Sequence, residues 1–402
     1  MAAPQQIRIA IIGGGIGGAS LANALMRIPQ IHIDVYEARP TFSERGAAVG
    51  LSLNARWALE HILPHKEDAR RLLAAAGGVP MNSTRIMLGC GPQAGTMIAD
   101  LGGTGDDDQG GIVHRGSLLR ELLAPIPSEL LHANKKLVEM QEIELEGRPQ
   151  VQATFGDGTT DTFDAVLGAD GVHSMVRSFV LQDLDPQKHA ASPGGFWDCR
   201  VLVPYNQARD AIGPEHFEQD RQYAWCGDGA FIMHDILENR SMVQCVISAV
   251  EDREAEGLPN GCRKRPLTRE LLSKTLHTWL DGPVAKAMIE PQAYSQFGHK
   301  STPTYYRNNV CLVGDAAHAT TPWQGAGAGQ AFEDAMILGI IDSSRGMGLT
   351  FCAKDAELAT LDPAAFKARL AGRWDFIFAI GFDRYKRDAK EKLADELARR
   401  VQ

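Results

Sequence analysis

Three stretches of the chain combine glycines with a carboxylate where an apolar strand ends, a pattern suited to phosphate and ribose groups. In the first, Ile7 to Ile12 is followed by Gly13, Gly15 and Gly18 in a G-x-G-x-x-G arrangement. Glycines at this spacing allow a tight turn and a close approach of the backbone to a pyrophosphate. The helical run behind them directs its N-terminal dipole at the same place, which favours negative charge.

The residues after this turn complete the pattern of a dinucleotide site. Ala19 to Arg27 reads as a helix and Ile31 to Tyr36 as a second strand, which ends in Glu37. A carboxylate at this position accepts hydrogen bonds from a ribose diol. Strand, turn, helix, strand and acid together are far more specific than the glycines alone. Arg39 is expected either near the cofactor's phosphates or adenosine, or on the solvated surface.

The second stretch lies near the middle of the chain. Phe163 to Leu167 reads as a buried strand that runs into the sequence GADG, with Asp170 as its carboxylate. An acid beside glycines again suits the approach of the backbone to a diphosphate or a ribose. Ser174 and Arg177 follow at one-turn spacing, where a helix is expected to begin.

The third stretch joins an apolar strand to a glycine-rich bend. Val310 to Val313 has the length of a buried strand, and Gly314 and Asp315 end it. After Pro322 the bend supplies free N–H groups before the helical run Gln330 to Leu338, which predicts a site for an anion or a polarised carbonyl. The alternative is a turn whose glycines serve tight packing only. The candidate binding residues of the bend are Gly325, Gly327 and Ala328.

Contacts spread along the chain from Gly13 to Asp315 imply one long, extended cofactor. Arg115 adds a further candidate contact, because it precedes the helical run Leu118 to Leu123 and its charge would meet a phosphate or a ribityl chain there. A surface arginine is the alternative for this residue.

A second sheet is predicted between the second and third stretches. Phe196 to Val203, Phe231 to Leu237 and Met242 to Ile247 are rich in β-branched and aromatic residues, which indicates a mostly antiparallel sheet inserted into the dinucleotide domain. Such a sheet would roof a pocket. Arg200 and His234 interrupt its apolar runs and are its candidate functional residues; the alternative is a sheet edge that faces water.

Composition excludes several classes of protein. The 402 residues are 44% hydrophobic and 23% charged, which suits a large core and two domains, and the net charge of −9 argues against nucleic-acid binding. The seven cysteines form no C-x-x-C pair, and the run Asp106 to Asp108 reads as a solvated turn, so no metal site or disulfide is expected. Neither a signal peptide nor about 18 consecutive apolar residues occurs. We expect a cytoplasmic monomer or homodimer without a membrane span.

Together the three stretches resemble the single-component FAD-dependent aromatic hydroxylases, in particular their salicylate hydroxylase-like branch. The G-x-G-x-x-G turn with Glu37 is similar to that family's ADP-binding motif, Asp164 to Arg177 to its second motif, and Gly314 to Pro322 to its third. The resemblance extends from Ile7 to about Leu338.

The resemblance implies an α/β fold, with a Rossmann-like FAD-binding domain of the p-hydroxybenzoate hydroxylase type, an inserted mostly antiparallel substrate sheet and a C-terminal helical tail. The expected FAD-binding domain comprises residues 1–80, 100–185 and 300–345. The expected substrate-binding domain comprises residues 80–100 and 186–299, and the helical tail residues 346–402.

The resemblance also implies roles for individual residues. The residues assigned to the nucleotide part of FAD are Glu37 at the AMP ribose, Arg115 at the FAD chain, Asp170 near the nucleotide and Asp315 at the ribityl chain or pyrophosphate. Pro322 and the loop Gly325 to Gly329 would flank the isoalloxazine, with backbone N–H groups near its pyrimidine edge. A helix N-terminus there would stabilise the negative charge of reduced flavin.

The implied chemistry is that of the flavin. NADH or NADPH reduces it, dioxygen adds to form a C4a-hydroperoxide, and one oxygen is transferred to an electron-rich ring. The leading expectation is salicylate 1-hydroxylase activity, which gives catechol with loss of CO2. Since the chain has only one full dinucleotide motif, the nicotinamide would bind transiently.

Two positions depart from the family pattern. Where bacterial salicylate hydroxylases commonly have a histidine after Thr-Pro, this chain has Trp323, which can stack on an aromatic ring but cannot act as a base. The family often has a Tyr-Pro pair where His234 and Asp235 align. His234 is therefore the hypothetical acid or base, and Arg200 the hypothetical partner of a carboxylate or phenolate.

Two alternatives to a salicylate hydroxylase remain open from the sequence. One is a tailoring monooxygenase of the same fold that epoxidises or dearomatises a larger phenol or indole. The other is a non-catalytic flavin-binding redox sensor, which would be expected to carry an added domain or a long linker.

Overall fold

The computed structural model describes residues 6–43, 48–81, 83–101, 111–251, 253, 262–279, 292–300, 302–322 and 325–343. The strands are β1 Ile7–Ile12, β2 Ile31–Tyr36, β3 Ala48–Leu51, β4 Val79–Pro80, β5 Thr84–Leu88, β6 Met97–Leu101, β7 Gly111–His114, β8 Leu131–His132, β9 Leu137–Leu145, β10 Arg148–Phe155, β11 Thr160–Phe163, β12 Ala165–Gly168, β13 Ser192–Pro204, β14 Gln222–Gly227, β15 Ala230–Leu237, β16 Met242–Val250, β17 Lys264–Pro266, β18 Gln292–Gly298, β19 Tyr306–Arg307 and β20 Val310–Leu312. The α-helices are α1 Ile16–Leu25, α2 Leu53–Ile62, α3 Lys66–Ala75, α4 Arg115–Leu123, α5 Met175–Val180, α6 Pro186–His189, α7 Tyr205–Ile212, α8 Arg269–Thr275, α9 Asp315–His318 and α10 Gly327–Ser343.

A parallel sheet carries the three glycine motifs. Its strand order is β19-β20-β12-β1-β2-β8, and every pair is parallel except the edge pair β19–β20. Ile9, Ile11 and Leu167 are fully buried in it, as expected for strands covered on both faces. Because parallel strands end at the same edge, the residues that follow β1, β2, β12 and β20 come together there.

A second sheet of eight strands has the order β17-β18-β13-β16-β15-β14-β5-β6. It is called here the substrate sheet, because the sequence predicts that it binds the substrate. All its pairs are antiparallel except β14 with β5, so the prediction of a mostly antiparallel inserted sheet is confirmed. Side chains alternate between its two faces. One face, called here the outer face, packs into an apolar core that includes Trp197, Ile232 and Ile247.

The opposite or inner face includes Arg200, Val246 and Met233, which are direct cross-strand partners on β13, β16 and β15. A third, small sheet, β3-β7-β4, contacts this inner face through Gln244, whose Oε1 accepts a hydrogen bond from the N–H of Ala48. The inner face is therefore the one that contacts this small sheet, whose strand β7 leads directly into Arg115.

The domain ranges stay a prediction. Contacts divide the chain into Met1–Ile340 and Ile341–Gln402, and both large sheets belong to the first unit. After β17 the helix α8 ends at Thr275, and a 3-10 turn, His277–Trp279, follows. The predicted turn Asp106 to Asp108 and the predicted helical tail 346–402 lie outside the described residues. No described helix is long and apolar enough to cross a membrane.

The first glycine turn leaves no room for a side chain. A Cβ added at Gly18 would lie 1.9 Å from the carbonyl oxygen of Gly13, whereas one at Gly17 would meet only Ala331 Cβ at 3.6 Å and Ala169 Cβ at 4.0 Å. Both glycines are in α1, so the two positions differ in packing and share their secondary structure.

We expect Gly18→Ala to destabilise the FAD-free chain by about 2–4 kcal/mol, because the clash is with backbone that cannot move aside. Gly17→Ala is the matched control and should change stability by no more than about 1 kcal/mol, in the favourable direction, since alanine favours the helix. Urea unfolding of both variants measures the difference. Equal stabilities would contradict the packing shown here.

Candidate functional site

The loops that follow three parallel strands touch one another at the sheet's carboxyl edge. A Cβ added at Gly13, whose φ is +109°, would lie 2.3 Å from the carbonyl oxygen of Ala169 in the second motif. One added at Gly314 would lie 3.3 Å from Ala331, which also faces Gly17. The structure thus brings the first, second and third motifs into one site, as one extended ligand requires.

Glu37 lies at the end of β2 beside the first turn. Its Oε2 accepts a hydrogen bond from the N–H of Gly14 (2.9 Å), and its Oε1 accepts one from the N–H of Arg39 (2.9 Å). The Arg39 guanidinium is exposed and donates to the carbonyl of Ser43 (3.0 Å). The Glu37 carboxylate is therefore held at the turn predicted to bind the AMP part of FAD, and Arg39 lies at the solvent-exposed edge of this turn.

A cavity of about 480 Å³ opens near this turn and was not predicted from the sequence. Phe42 lines the cavity, and the Phe42 ring lies 2.3 Å from the position of a Cβ added at Gly14. The remaining lining residues are Ser43, Gly116, Arg120, Leu123 and Ala124. Its size and its partly aromatic wall suit a purine base.

Asp170 has a local role that the sequence did not reveal. Its carboxylate accepts hydrogen bonds from the Ser174 hydroxyl and from the N–H groups of Met175 (2.7 Å) and Val176 (3.2 Å), so it caps the start of α5. Burial raises the pKa of this carboxyl, and these hydrogen bonds oppose the rise. Open space borders the backbone of Gly171 beside it, which leaves room for a ligand.

Arg177 ties the second motif to the third. It is buried, and its Nη1 donates to the carbonyls of Ala316 (3.1 Å) and Ala317 (2.9 Å) in α9. Sequence spacing located Arg177 at the start of a helix, but its partners are too distant in the chain to be read from spacing.

The third motif is braced by a carboxylate from α10. Asp334 Oδ2 accepts a hydrogen bond from the N–H of Gly314 (2.9 Å) and lies 2.7 Å from His318 Nε2. Gly314 has a φ of +58°, so this bond holds a left-handed turn directly before Asp315. Asp315 is exposed, and its Oδ1 lies 3.8 Å from the position of a Cβ added at Gly327, the first residue of α10.

The predicted flavin loop is described in part. Pro322 and Gly325 are exposed, and Gly327 and Ala328 are half-buried. Among the described residues, apart from its chain neighbours, no atom lies within 4 Å of a Cβ added at Gly325. The N-terminus of α10 is thus open to a ligand, with Asp315 beside it. Trp323 lies outside the described residues.

Arg115 begins α4 directly after β7 and is half-buried. The residue before it, His114, has its Nδ1 3.0 Å from Glu238 Oε1 in the β15–β16 turn. Ser117 donates to the same Glu238 oxygen (2.6 Å). Arg115 therefore sits where the parallel-sheet part of the unit meets the substrate sheet, in keeping with a contact to an extended cofactor.

These features fit FAD. At Gly13 and Gly18 the backbone is packed too closely for any Cβ, which suits a turn that binds a pyrophosphate. Glu37 is suited to bind the ribose. The open N-terminus of α10 is suited to the electron-rich end of the isoalloxazine. Within the described part of the chain, no group of three or more His, Cys, Asp or Glu side chains is arranged to hold a metal ion. The role of each residue toward FAD stays a prediction.

Arg200 lies on the inner face of the substrate sheet. It pairs with Asp198, whose Oδ2 accepts from Arg200 Nε (3.1 Å) and Nη2 (2.6 Å). Asp198 is buried, and burial raises its pKa while Arg200 opposes the rise. The Arg200 side chain is 30% exposed, so a ligand can reach it.

His234 does not share this face. It follows Met233 on β15, so it points to the outer face, where it is fully buried. It stacks on Tyr223 with ring centroids 4.9 Å apart and an interplanar angle of 7°. Desolvation lowers its pKa to about 3. The structure does not bring His234 and Arg200 together, and a histidine with this pKa is a poor base near neutrality.

Asp235, the next residue, is the titratable group of β15 that occupies the inner face. It is 1% exposed and accepts hydrogen bonds from Gln222 Nε2 (2.8 Å) and Gln244 Nε2 (3.2 Å). Burial raises its pKa to about 6, and both glutamines oppose the rise. His234 and Asp235 both align with the family's Tyr-Pro pair, but the functional role was predicted for His234 and not for Asp235.

Comparisons with known proteins agree with this geometry. A family profile described as an FAD binding domain matches residues 134–341. The chain is 33% identical to a 6-methylsalicylate 1-monooxygenase of Aspergillus terreus, over 97% of this chain and 93% of that protein. It is 31% identical to a salicylate hydroxylase of Pseudomonas putida, over 83% and 76% of the two chains.

Solved structures show the same fold at lower identity. A salicylate hydroxylase substrate complex superposes with a TM-score of 0.70 at 20% identity, covering 96% of this chain and 98% of that one. Klebsiella pneumoniae HpxO complexed with FAD and uric acid gives 0.66 at 22% identity, covering 90% and 85%.

We expect Asp334→Asn to weaken FAD binding about tenfold or more, because the hydrogen bond from the N–H of Gly314 loses its charged acceptor and His318 loses a carboxylate partner. Titration of the FAD-free protein with FAD, followed by flavin fluorescence, measures the change. Asp183→Asn, at an exposed acid that pairs with Arg307, is the matched control. Unchanged affinity in Asp334→Asn would show that the turn holds its shape without this brace.

His234 should affect stability at low pH more than catalysis. Its pKa falls from 6.5 to about 3 on folding, so the unfolded chain binds a proton that the folded chain refuses. Stability is then lost as pH falls below about 6.5, by up to about 1.4 kcal/mol per pH unit. His234→Phe should remove this part of the pH dependence in unfolding experiments and keep turnover of an aromatic substrate within about threefold. A folded variant without turnover would restore His234 as the base.

Proposed function

The chain belongs to the FAD-dependent aromatic monooxygenases, and on that premise we propose that it hydroxylates a small phenolic acid, with the conversion of salicylate or a close analogue to a catechol as the leading candidate. FAD, dioxygen and NADH or NADPH take part in the reaction of this family. The relatives named above support the substrate class, since one acts on 6-methylsalicylate and another on salicylate.

The observation that carries the proposal is the guanidinium of Arg200 on the inner face. Asp198 holds Nε and Nη2, so the planar group is oriented before a substrate arrives. A carboxylate that reached the exposed part of this group would form charge-assisted hydrogen bonds. Met233 and Val246, the cross-strand neighbours of Arg200, give the apolar surface that an aromatic ring needs.

The chain's own groups would act by positioning and by excluding water. FAD, when bound, would accept the reducing electrons of NAD(P)H and would supply the activated oxygen. Arg200 would hold the carboxylate while oxygen is added at the carbon that bears it, and loss of CO2 then restores the aromatic ring. The N–H groups of Gly327 and Ala328 would stabilise negative charge at the neighbouring end of the cofactor. The apolar side chains of the inner face, Met233 and Val246, would keep water away from the reacting atoms.

A second candidate is a monooxygenase that acts on a larger, uncharged phenol or indole. It is favoured by the Arg200–Asp198 pair itself, because Asp198 already neutralises the guanidinium in the FAD-free protein. Turnover under labelled dioxygen separates the two. Catechol with one labelled oxygen and released CO2 supports the first, and peroxide alone with salicylate favours the second.

We expect Arg200→Met to raise KM for salicylate about 30-fold or more, because the carboxylate loses its cation and then faces an unpaired Asp198. A phenol without a carboxylate should be turned over by the variant at nearly the rate of the unchanged enzyme. Arg209→Met, at an exposed arginine of α7, is the matched control. An unchanged KM for salicylate in Arg200→Met would remove Arg200 as the anchor.

A further inference from the structure

A row of hydrogen-bonded side chains crosses the inner face and ends on β3. Its members are linked in the order Thr84 Oγ1 to Gln222 Oε1 (3.0 Å), Gln222 Nε2 to Asp235 Oδ1 (2.8 Å), Asp235 Oδ2 to Gln244 Nε2 (3.2 Å) and Gln244 Oε1 to the N–H of Ala48. The row spans β5, β14, β15 and β16 before it reaches the small sheet.

Asp235 decides which way both glutamines point. An ionised carboxylate can only accept hydrogen bonds, so each glutamine must turn its NH2 group toward it. The carbonyl oxygen of Gln244 is then left facing Ala48, where it accepts the backbone N–H. With a donor in place of the Asp235 acceptor, Gln244 would gain by reversing, and its NH2 group would then meet the N–H of Ala48.

The strand that receives this bond links the substrate sheet to the predicted flavin loop. Ala48 pairs with His114, the residue before Arg115. At the other end of β3, Ser52 caps α2 through the N–H of Ala55. The Cβ of Ala55 lies 3.1 Å from the position of a Cβ added at Gly329 in the first turn of α10. Strand β3 and the first turn of α2 together connect the Gln244 contact with the first turn of α10.

We propose that Asp235 is a positioning residue of the monooxygenase site, which holds β3 and the adjoining FAD-binding residues against the substrate sheet by fixing the orientation of Gln244. The inference depends on the FAD site but not on which aromatic substrate is hydroxylated. Asp235 is 1% exposed and its carboxylate oxygens bind Gln222 and Gln244, so we expect it to act through Gln244 and not by contact with the substrate.

The position is sensitive to protonation. Burial raises the pKa of Asp235 to about 6, and a protonated carboxyl presents an O–H donor that permits Gln244 to reverse. FAD affinity should therefore fall as pH falls through about 6. Among the described residues, the other titratable or charged groups near this row include Cys245, whose pKa is raised to about 12, Arg85 and Arg221 beside Thr84 and Gln222, Arg200 and Asp198 along the inner face, and the Glu238–His114 pair at the hairpin end.

Moving the carboxylate by one strand tests the mechanism. Asp235→Asn alone places an amide between two amides, so either Gln222 reverses and donates to Thr84 Oγ1, or Gln244 reverses and loses the hydrogen bond from Ala48. Gln244→Glu alone places two carboxylates face to face. When both substitutions are combined, the amide introduced on β15 donates to the carboxylate introduced on β16 and accepts from Gln222. The carboxylate on β16 still accepts a hydrogen bond from the N–H of Ala48. The row therefore keeps every hydrogen bond, while its negative charge moves from β15 to β16.

Each FAD-free protein is titrated with FAD, and the dissociation constant is obtained from flavin fluorescence. The titrations are made between about pH 5 and pH 8, because this range brackets the Asp235 pKa of about 6. We expect about tenfold weaker binding for Gln244→Glu above about pH 6, loss of the inflection near pH 6 in Asp235→Asn, and recovery to within about threefold in the double variant. Asp228→Asn, at an exposed acid between β14 and β15, is the matched control and should behave as the unchanged protein.

Two results would overturn the proposal. One is an Asp235→Asn protein with unchanged FAD affinity and an unchanged inflection. The other is a double variant that binds FAD no better than Gln244→Glu. If Asp235→Asn alone does not fold, the double variant still decides, because folded, FAD-binding protein supports the exchange of donors and its absence contradicts it. No aromatic substrate enters the titration, so failure of the proposed hydroxylation would leave this test intact.

Discussion

The contact between Gly13 and the carbonyl of Ala169 is the constraint on which the rest of the site depends. Strands β1 and β12 are parallel neighbours, so the turns that follow them meet, and a Cβ at Gly13 would lie only 2.3 Å from that carbonyl oxygen. Arg177 then joins the second motif to the carbonyls of α9, and Asp334 joins that segment to α10. Each motif is fixed by its neighbour's backbone.

The substrate sheet is attached to the same edge by close backbone contact. A Cβ added at Gly298 would lie 3.3 Å from the carbonyl oxygen of Ala319, and the N–H of His299 donates to that same oxygen (2.8 Å). A Cβ added at Gly194 would lie 3.0 Å from Thr321. The third motif is therefore in contact with both sheets.

Local signals predicted the fold and the three motifs, because each motif is a strand end, a turn and a helix start within a short stretch of chain. The substrate face needed information that the sequence lacks. Phe231 to Leu237 is apolar on both sides, so its alternation does not tell which residues face the pocket, and a step of one residue exchanges His234 for Asp235. The partners of Arg177 and Asp334 are likewise distant in sequence, and pKa shifts depend on burial that only the fold creates.

The charges of the inner face limit what it can bind. On its three central strands β13, β16 and β15, Asp198 and Arg200 cancel and an ionised Asp235 leaves a net charge of −1. Two strand spacings and two residues along the strand separate Arg200 from Asp235 by about 12 Å between Cα atoms. At an effective dielectric constant of about 20, this charge opposes an anion at Arg200 by about 1.4 kcal/mol, or tenfold in affinity. Burial has already raised the pKa values of Asp198 and Asp235, so a bound carboxylate raises them further. A phenolic acid would therefore bind together with a proton, whereas a neutral phenol would not require one.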